Sequence, residues 1–139
     1  MDTNIIENKL QLFAELHKEI GALYLFGSLL TKINPKDIDI AILINEGEIK
    51  KSNLHLVEYI ASLKYEFMNL LNVNDVDVVL LNSASPIICQ QVLSKGKIIF
   101  ERNKKGVELF KVQTANRYHD IKLIRKPIEE QILKGRIYG

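Results

Sequence analysis

The sequence contains a single cysteine, Cys89, among its 139 residues. One thiol excludes an internal disulfide, and no cysteine–histidine spacing typical of a zinc site is present. No uninterrupted apolar run approaches the roughly 18 residues of a membrane-spanning helix. The polar and acidic start, MDTNIIENKLQLF, also lacks the basic region and long apolar run of a signal peptide. These absences lead us to expect a soluble, cytoplasmic protein with no membrane partner.

An excess of one charge is also lacking, because 19 lysine and arginine residues oppose 17 aspartate and glutamate residues. The distribution along the chain is uneven. Residues 1–101 carry 9 basic and 13 acidic residues, or −4, whereas residues 102–139 carry 10 and 4, or +6. A basic tail on an acidic body indicates either an acidic partner or a solvated helix face. The two aromatic residues of segment 102–126, Phe110 and Tyr118, fit its apolar stripe, so we expect partner docking there rather than direct nucleic-acid binding.

Hydrophobic periodicity predicts helices at about 4–19, 52–71, 86–95 and 103–125, and strands at 22–26, 37–44, 76–82 and 97–100. Gly21 is predicted to end the first helix and Pro127 to break the last one. A short helix is also expected after Gly27. This order predicts an α+β (α/β-like) fold, in which a small mixed sheet is flanked by helices.

Two carboxylates open the predicted strand 37–44. Because alternate strand residues point to the same face, Asp37 and Asp39 project together, about 7 Å apart along the backbone. Two like charges this close are unfavourable unless a cation lies between them, and Mg²⁺ is held by carboxylates together with substrate phosphates. The alternative is a turn residue followed by a solvent-facing aspartate. The strand becomes apolar on both faces beyond the acids, which places them at a rim or cleft and favours the metal site.

A Gly-Ser pair, Gly27 and Ser28, follows the predicted strand 22–26. Glycine lets the backbone approach a ligand closely. A serine hydroxyl and the free N–H groups at the start of a helix can bind phosphate oxygens. The alternative is a plain strand-to-helix turn with Ser28 as the helix N-cap. The pair alone carries little information, but a strand, this pair and then a strand opening with Asp-x-Asp form a more specific pattern.

A third carboxylate lies in the predicted strand 76–82. Asp77 can complete a cluster if this strand lies beside the strand that begins with the Asp-x-Asp pair. Asp75 lies two residues earlier on the same face and competes for the role. We favour Asp77 because a strand fixes its position. Two-metal nucleotidyl transfer needs acids that bridge both ions and one that helps to deprotonate the attacking hydroxyl.

The segments LYLFGS, DIDIAIL and VDVVLLN, in this order, resemble the signature of the minimal nucleotidyltransferases (MNT) of the polymerase-β-like superfamily. The likeness continues through SASPIICQQVLSKGKIIFER, a stretch typical of members that act as antitoxins to HEPN-domain toxins, and reaches RYHDIK. It therefore covers nearly the whole chain. It implies one nucleotidyltransferase domain over 1–139, with a core of about 1–101 and a basic helical extension of about 102–139.

The resemblance also implies a Mg²⁺-dependent enzyme with ATP as its substrate. Gly27 and Ser28 would bind the nucleotide, and Asp37, Asp39 and Asp77 would be the catalytic and metal-binding residues. The acceptor would be a tyrosine hydroxyl of a partner HEPN toxin, which AMP transfer neutralises. Homo- and hetero-oligomers both stay open.

The eight residues Leu29–Lys36 make the connection between Ser28 and Asp37 shorter than is usual in the family. This departure favours an alternative in which the chain is a non-catalytic antitoxin that binds the toxin stoichiometrically through its basic helices. A further alternative is a nucleotidyltransferase that modifies a small molecule. It ranks lower because 139 residues leave little room for a second domain to hold the acceptor.

Overall fold

The computed structural model describes residues 3–27, 38–45, 47–48 and 55–133, with side chains described as far as residue 123. The elements in chain order are α1 (Thr3–Leu16), β1 (Ile20–Phe26), β2 (Ile38–Ile44), α2 (Leu56–Leu71), β3 (Val76–Leu80), α3 (Pro86–Lys95), β4 (Lys97–Glu101) and α4 (Lys104–Leu133). The short helix expected after Gly27 and the predicted helix start at Ser52 lie outside the described residues. None of the described helices could span a membrane.

The four strands form one mixed sheet in the order β3-β2-β1-β4. β1 pairs antiparallel with both β2 and β4, whereas β2 and β3 run parallel. The parallel pair needs a crossover connection, and α2 supplies it. The predicted α+β fold with a small mixed sheet is therefore confirmed.

Helices cover both faces of the sheet because the strands carry apolar side chains on both faces. The first face packs on α1 and α2, and its strand residues include Leu23, Leu25, Ile40 and Ile42. The second face packs on α3 and α4, and its strand residues include smaller side chains, such as Ala22 and Ala41. Alternation along β2 therefore puts its even-numbered isoleucines on the first face and Asp39 on the second, with Ala41.

Helix α3 has the ends that the sequence predicts. The Ser85 hydroxyl accepts a hydrogen bond from the Ile88 N–H at 3.3 Å, and Pro86 occupies the first turn, where its missing N–H costs nothing. At the other end, the Gly96 N–H donates to the Val92 carbonyl at 2.8 Å. These caps fix the direction of α3, which runs from the end of β3 back to the start of β4.

The end of α1 differs from the prediction. The helix ends at Leu16, and Gly21 lies inside β1 at a register irregularity of the β1–β2 ladder. Arg102, distant in sequence, donates hydrogen bonds to the carbonyls of Ala14 and His17 and so satisfies the end of the helix. The prediction that Gly21 caps α1 is therefore wrong, because the side chain of Arg102, between β4 and α4, binds the carbonyls at the end of the helix instead.

The predicted break of the last helix at Pro127 is also wrong. Helix α4 runs for 30 residues and includes this proline. A proline inside a helix removes one hydrogen bond and kinks the axis. Propagation on both sides is favourable once the helix is nucleated, so the loss of one bond does not end it.

Candidate active site

Asp39 of β2 lies directly opposite Asp77 of β3 in the parallel ladder. Neighbouring strands are about 4.8 Å apart, and directly opposed residues point to the same face. Asp39 is half-buried and Asp77 is exposed. The two carboxylates therefore lie side by side on the second face, at the end of the sheet where β2 and β3 begin. The structure brings these two predicted site residues together.

Gly27 follows β1 at the same end of the sheet, because β1 runs antiparallel to β2 and its last residue, Phe26, lies opposite Asp39. The backbone of Gly27 has φ of +79°, a conformation that side-chain-bearing residues rarely adopt. A Cβ atom at this position would lie 2.9 Å from the Asp39 Cγ and still closer to one of its carboxylate oxygens. Glycine is therefore required both by the turn and by the approach of the Asp39 side chain.

Burial of β2 explains why the acids lie at a rim. Ile40, Ala41 and Ile42 are fully buried, so the strand passes through the core immediately beyond Asp39. Buried charges without partners are strongly unfavourable, and carboxylates can therefore occupy only the first residues of the strand. The expectation that the strand is apolar on both faces past the acids is confirmed.

Asp75, the competitor of Asp77, has a different environment. It precedes β3 and forms an ion pair with Lys64 of α2, with 3.4 Å between the carboxylate oxygen and the ammonium nitrogen. Both side chains are about half exposed, and such pairs contribute little to stability. Asp77 faces Asp39 whereas Asp75 faces α2, so the geometry favours Asp77 as the partner of Asp39.

Ser28 and Asp37 lie outside the described residues. Within the described ranges, no group of three or more histidine, cysteine, aspartate or glutamate side chains is arranged to hold a metal ion. The predicted three-carboxylate cluster needs Asp37 as its third member and therefore stays a prediction. The described pair supplies only oxygen ligands, which is the ligand type that hard divalent cations take.

One residue at this edge was missed by the sequence prediction as part of the site. A Cβ atom at Gly96, between α3 and β4, would lie 3.2 Å from the Leu25 carbonyl oxygen and 3.4 Å from the Phe26 Cβ. The α3–β4 turn therefore packs closely against the end of β1, which Gly27 follows. From the sequence, Gly96 is only the residue that follows the predicted helix 86–95, because no local pattern indicates contact with a distant strand.

Two other groups on the second face are poor nucleophiles. Burial raises the pKa of the Cys89 thiol, whose Sγ lies 3.5 Å from the Leu81 carbonyl oxygen. Burial, with the nearby carboxylates of Glu101 and Glu108, raises the pKa of Tyr24 to about 12. Both groups therefore stay protonated near neutral pH. Cys89 therefore behaves as a small buried apolar residue.

Comparison with known proteins decides the family. Residues 8–105 match the family described as Polymerase beta, Nucleotidyltransferase, and this range holds β1, β2, β3 and all the predicted site residues. The chain belongs to the polymerase beta nucleotidyltransferase family. The family resemblance drawn from the Gly-Ser and Asp-x-Asp segments is thereby confirmed.

Relatives within this nucleotidyltransferase family are similar over nearly the whole chain. The protein adenylyltransferase MntA of Shewanella oneidensis is 32% identical over 130 residues, which cover 91% of this chain and 87% of MntA. A crystal structure of a toxin–antitoxin with AMP-PNP matches with a TM-score of 0.71 and 32% identity, covering 91% of this chain and 98% of the other. The tri-AMPylated S. oneidensis HEPN toxin in complex with MNT antitoxin gives a TM-score of 0.70 and 30% identity, with 94% and 98% covered.

Proposed function

We propose that this nucleotidyltransferase is an antitoxin that transfers AMP from ATP to a tyrosine hydroxyl of a partner HEPN toxin and so neutralises it. The observation that carries the proposal is the pairing of Asp39 with Asp77 beside the Gly27 turn. The similar proteins support the reaction and the partner, since one is a protein adenylyltransferase and another is an MNT antitoxin bound to an AMPylated HEPN toxin.

The described carboxylates fit a divalent metal ion, and we propose Mg²⁺ as that ion. Asp39 and Asp77 offer adjacent oxygen ligands at a rim where a triphosphate can also reach, and Asp37 would add a third carboxylate. When bound, the metal neutralises the charge of the phosphates and orients them. Without a cation between them, the Asp39 and Asp77 carboxylates would repel one another and the nucleotide.

The chain itself contributes positioning and proton transfer. Gly27, whose turn places its backbone beside the Asp39 carboxylate, would bind the triphosphate through that backbone, and Ser28 would donate its hydroxyl to a phosphate oxygen. The acceptor hydroxyl attacks the α-phosphorus, the bond to the β-phosphate oxygen breaks, and pyrophosphate leaves. Asp77 is exposed, so it can reach the acceptor hydroxyl and take its proton. Asp39, half-buried against Gly27, is held in place as a ligand.

The test is nucleotide transfer by the Asp39→Asn variant. The purified chain is incubated with Mg-ATP and the HEPN protein encoded beside it, and intact-mass measurement reports the added AMP groups. We expect transfer by the wild type, a loss of at least about 100-fold in the variant, and an unchanged melting temperature. Asp120→Asn, the same chemical change on exposed α4, is the matched control. Normal transfer by Asp39→Asn would show that the site is assigned to the wrong residues, and neutralisation without transfer would support stoichiometric binding.

A further inference from the structure

A second concave surface lies at the end of the sheet opposite Gly27 and Asp39. This α4 groove has a volume of about 670 Å³ and forms where α4 passes the ends of β2 and β3. Its floor is apolar and consists of Leu43, Leu81, Val107 and Phe110. Clefts of roughly 300–1,000 Å³ hold small ligands or a few residues of a peptide. The α4 groove is therefore large enough for a specific occupant that is not the nucleotide at Asp39.

The rim of the α4 groove offers unused hydrogen-bonding groups. The side chains of Gln113 and Asn116 lie on α4 at the rim, and neither side chain makes a hydrogen bond within the part of the chain that the structure describes. A carboxamide has both donors and an acceptor, the same set that a peptide backbone offers. Their neighbour Leu109 also lines the groove and is 58% exposed. An apolar floor below a carboxamide rim suits an extended peptide segment.

The described charged side chains that line the α4 groove are all basic. No aspartate or glutamate is among the described residues that line it, whereas Arg102 and Arg117 are. The Arg102 guanidinium already donates to backbone carbonyls, including those of Ala14 and Ile20. The Arg117 guanidinium makes no hydrogen bond or ion pair with any described residue, and its charge acts only at longer range on the Cys89 thiol. One cation is therefore available, which matches a single carboxylate in the occupant.

The small number of uncommitted cationic side chains argues against a nucleotide as the occupant of the α4 groove. A triphosphate is usually bound by several cationic side chains, and among the described cationic side chains that line the groove only that of Arg117 is uncommitted. The surrounding helix favours an acidic protein instead, since residues 104–123 of α4 hold five basic and two acidic residues. Charge complementarity of this kind guides association and orients the partner.

We propose that the α4 groove docks an extended segment of the partner HEPN toxin that carries an apolar side chain beside a carboxylate. The identity of the partner rests on the proposed function. The β2 strand separates the groove from Asp39 by about 13–17 Å at roughly 3.3 Å per residue. A folded domain of 100 residues has a radius of gyration of about 13 Å and spans this distance. The toxin can therefore be anchored at one end of the sheet while its hydroxyl reaches the carboxylates at the other.

The test compares two aspartate substitutions on α4. Leu109 lines the groove, whereas Val112 is equally exposed, at 56%, and does not line it. Isothermal titration of the full chain with the unmodified HEPN protein, without ATP, measures the dissociation constant. We expect Leu109→Asp to weaken binding at least tenfold, because it places a carboxylate against that of the toxin. Val112→Asp should stay within about twofold of the wild type.

A second matched pair tests the charge. Arg117→Glu removes the uncommitted cation, while Lys111→Glu makes the same change in charge on α4 outside the groove, at a lysine that is ion-paired with Glu108. A larger loss of affinity for Arg117→Glu than for Lys111→Glu supports the docking site. Equal toxin affinity within each pair would overturn the docking site. It would also be overturned if the groove variants lost self-association or a bound small molecule while their affinity for the toxin stayed unchanged.

The two proposals fail in different ways. Mass measurement of AMP transfer in the same samples tests the proposed function. Binding that depends on the groove without any transfer would reject the catalytic proposal and keep the docking site. AMP transfer together with normal toxin binding by the groove variants would reject the docking site and keep the catalytic proposal. A wild-type chain that binds no HEPN toxin would contradict both.

Discussion

The carboxylate of Asp39 occupies the space beside Gly27 that any larger residue would need for its Cβ atom. Gly27 directly follows β1 and Asp39 lies in β2, and the two meet because Phe26 and Asp39 are opposed in the antiparallel ladder. The positive φ of Gly27 and the position of the Asp39 side chain are therefore coupled. A change at one residue is expected to displace the other.

Replacement of Gly27 by alanine should damage both stability and transfer. Alanine would be strained at φ of +79° and would collide with Asp39, so we expect a loss of roughly 1–3 kcal/mol in the free energy of unfolding. Urea denaturation measures this loss. Gly106→Ala is the control with the opposite sign, because its Cβ would meet nothing closer than 3.6 Å in a helix, and alanine there should stabilise by about 0.5–1 kcal/mol. Equal stability of Gly27→Ala and wild type would show that the turn tolerates a side chain.

The two aspartates at the start of β3 should respond differently to the same substitution. Asp77→Asn removes the carboxylate beside Asp39, and we expect AMP transfer to fall at least about 100-fold. Asp75→Asn breaks only a half-exposed ion pair with Lys64 and should leave the transfer rate within about twofold. Intact-mass kinetics with the HEPN protein measure both rates. If Asp75→Asn were the inactive variant, the assignment of the two residues would be reversed.

Tyr24 should make the protein sensitive to alkaline pH. Its pKa is raised from 10.0 to about 12 in the folded state by burial first and by Glu101 and Glu108 second. The folded state therefore holds its proton more tightly than the unfolded state, so this stability is fully present below pH 10 and is lost as the pH rises toward about 12. The loss should be on the order of 1 kcal/mol per pH unit.

Tyr24→Phe is the variant that isolates this effect. The Tyr24 hydroxyl is buried and has no hydrogen-bond partner within the described residues, so its removal should cost little at pH 7. Urea denaturation between pH 9 and pH 12 should show a shallower decline for the variant than for the wild type. Parallel curves would mean that Tyr24 does not cause the alkaline loss.

The predicted site depended on two periodic rules that do not need coordinates. Alternation along a strand put Asp39 on the face opposite the isoleucines, and the apolar strand beyond it restricted the charge to the rim. The same rules placed Asp77 inside a strand and Asp75 before it. They could not show that β2 and β3 are neighbours in register, because pairing partners are distant in the chain.

Other features could not be predicted because their causes are not local. Glycine often ends a helix, but Arg102 binds the free carbonyls at the end of α1. Gly21 instead allows β1 to approach the Leu43 carbonyl closely, since a Cβ atom at this position would lie 3.3 Å from that oxygen. Proline often ends a helix, but α4 continues through Pro127. In both cases the local preference, about 1 kcal/mol for glycine and about 3 kcal/mol for proline, was outweighed by other interactions of the folded chain.

The sequence by itself determined the helices and strands, the family, and the residue types that can bind a metal and a nucleotide, because these follow from side-chain chemistry and short-range periodicity. Tertiary structure alone decided that Asp39 stands beside Asp77 and against Gly27, and that α4 forms a groove at the far end of the sheet. Strand order and helix packing are set by the burial of both faces of the sheet together, and this cooperative property is carried by no single segment.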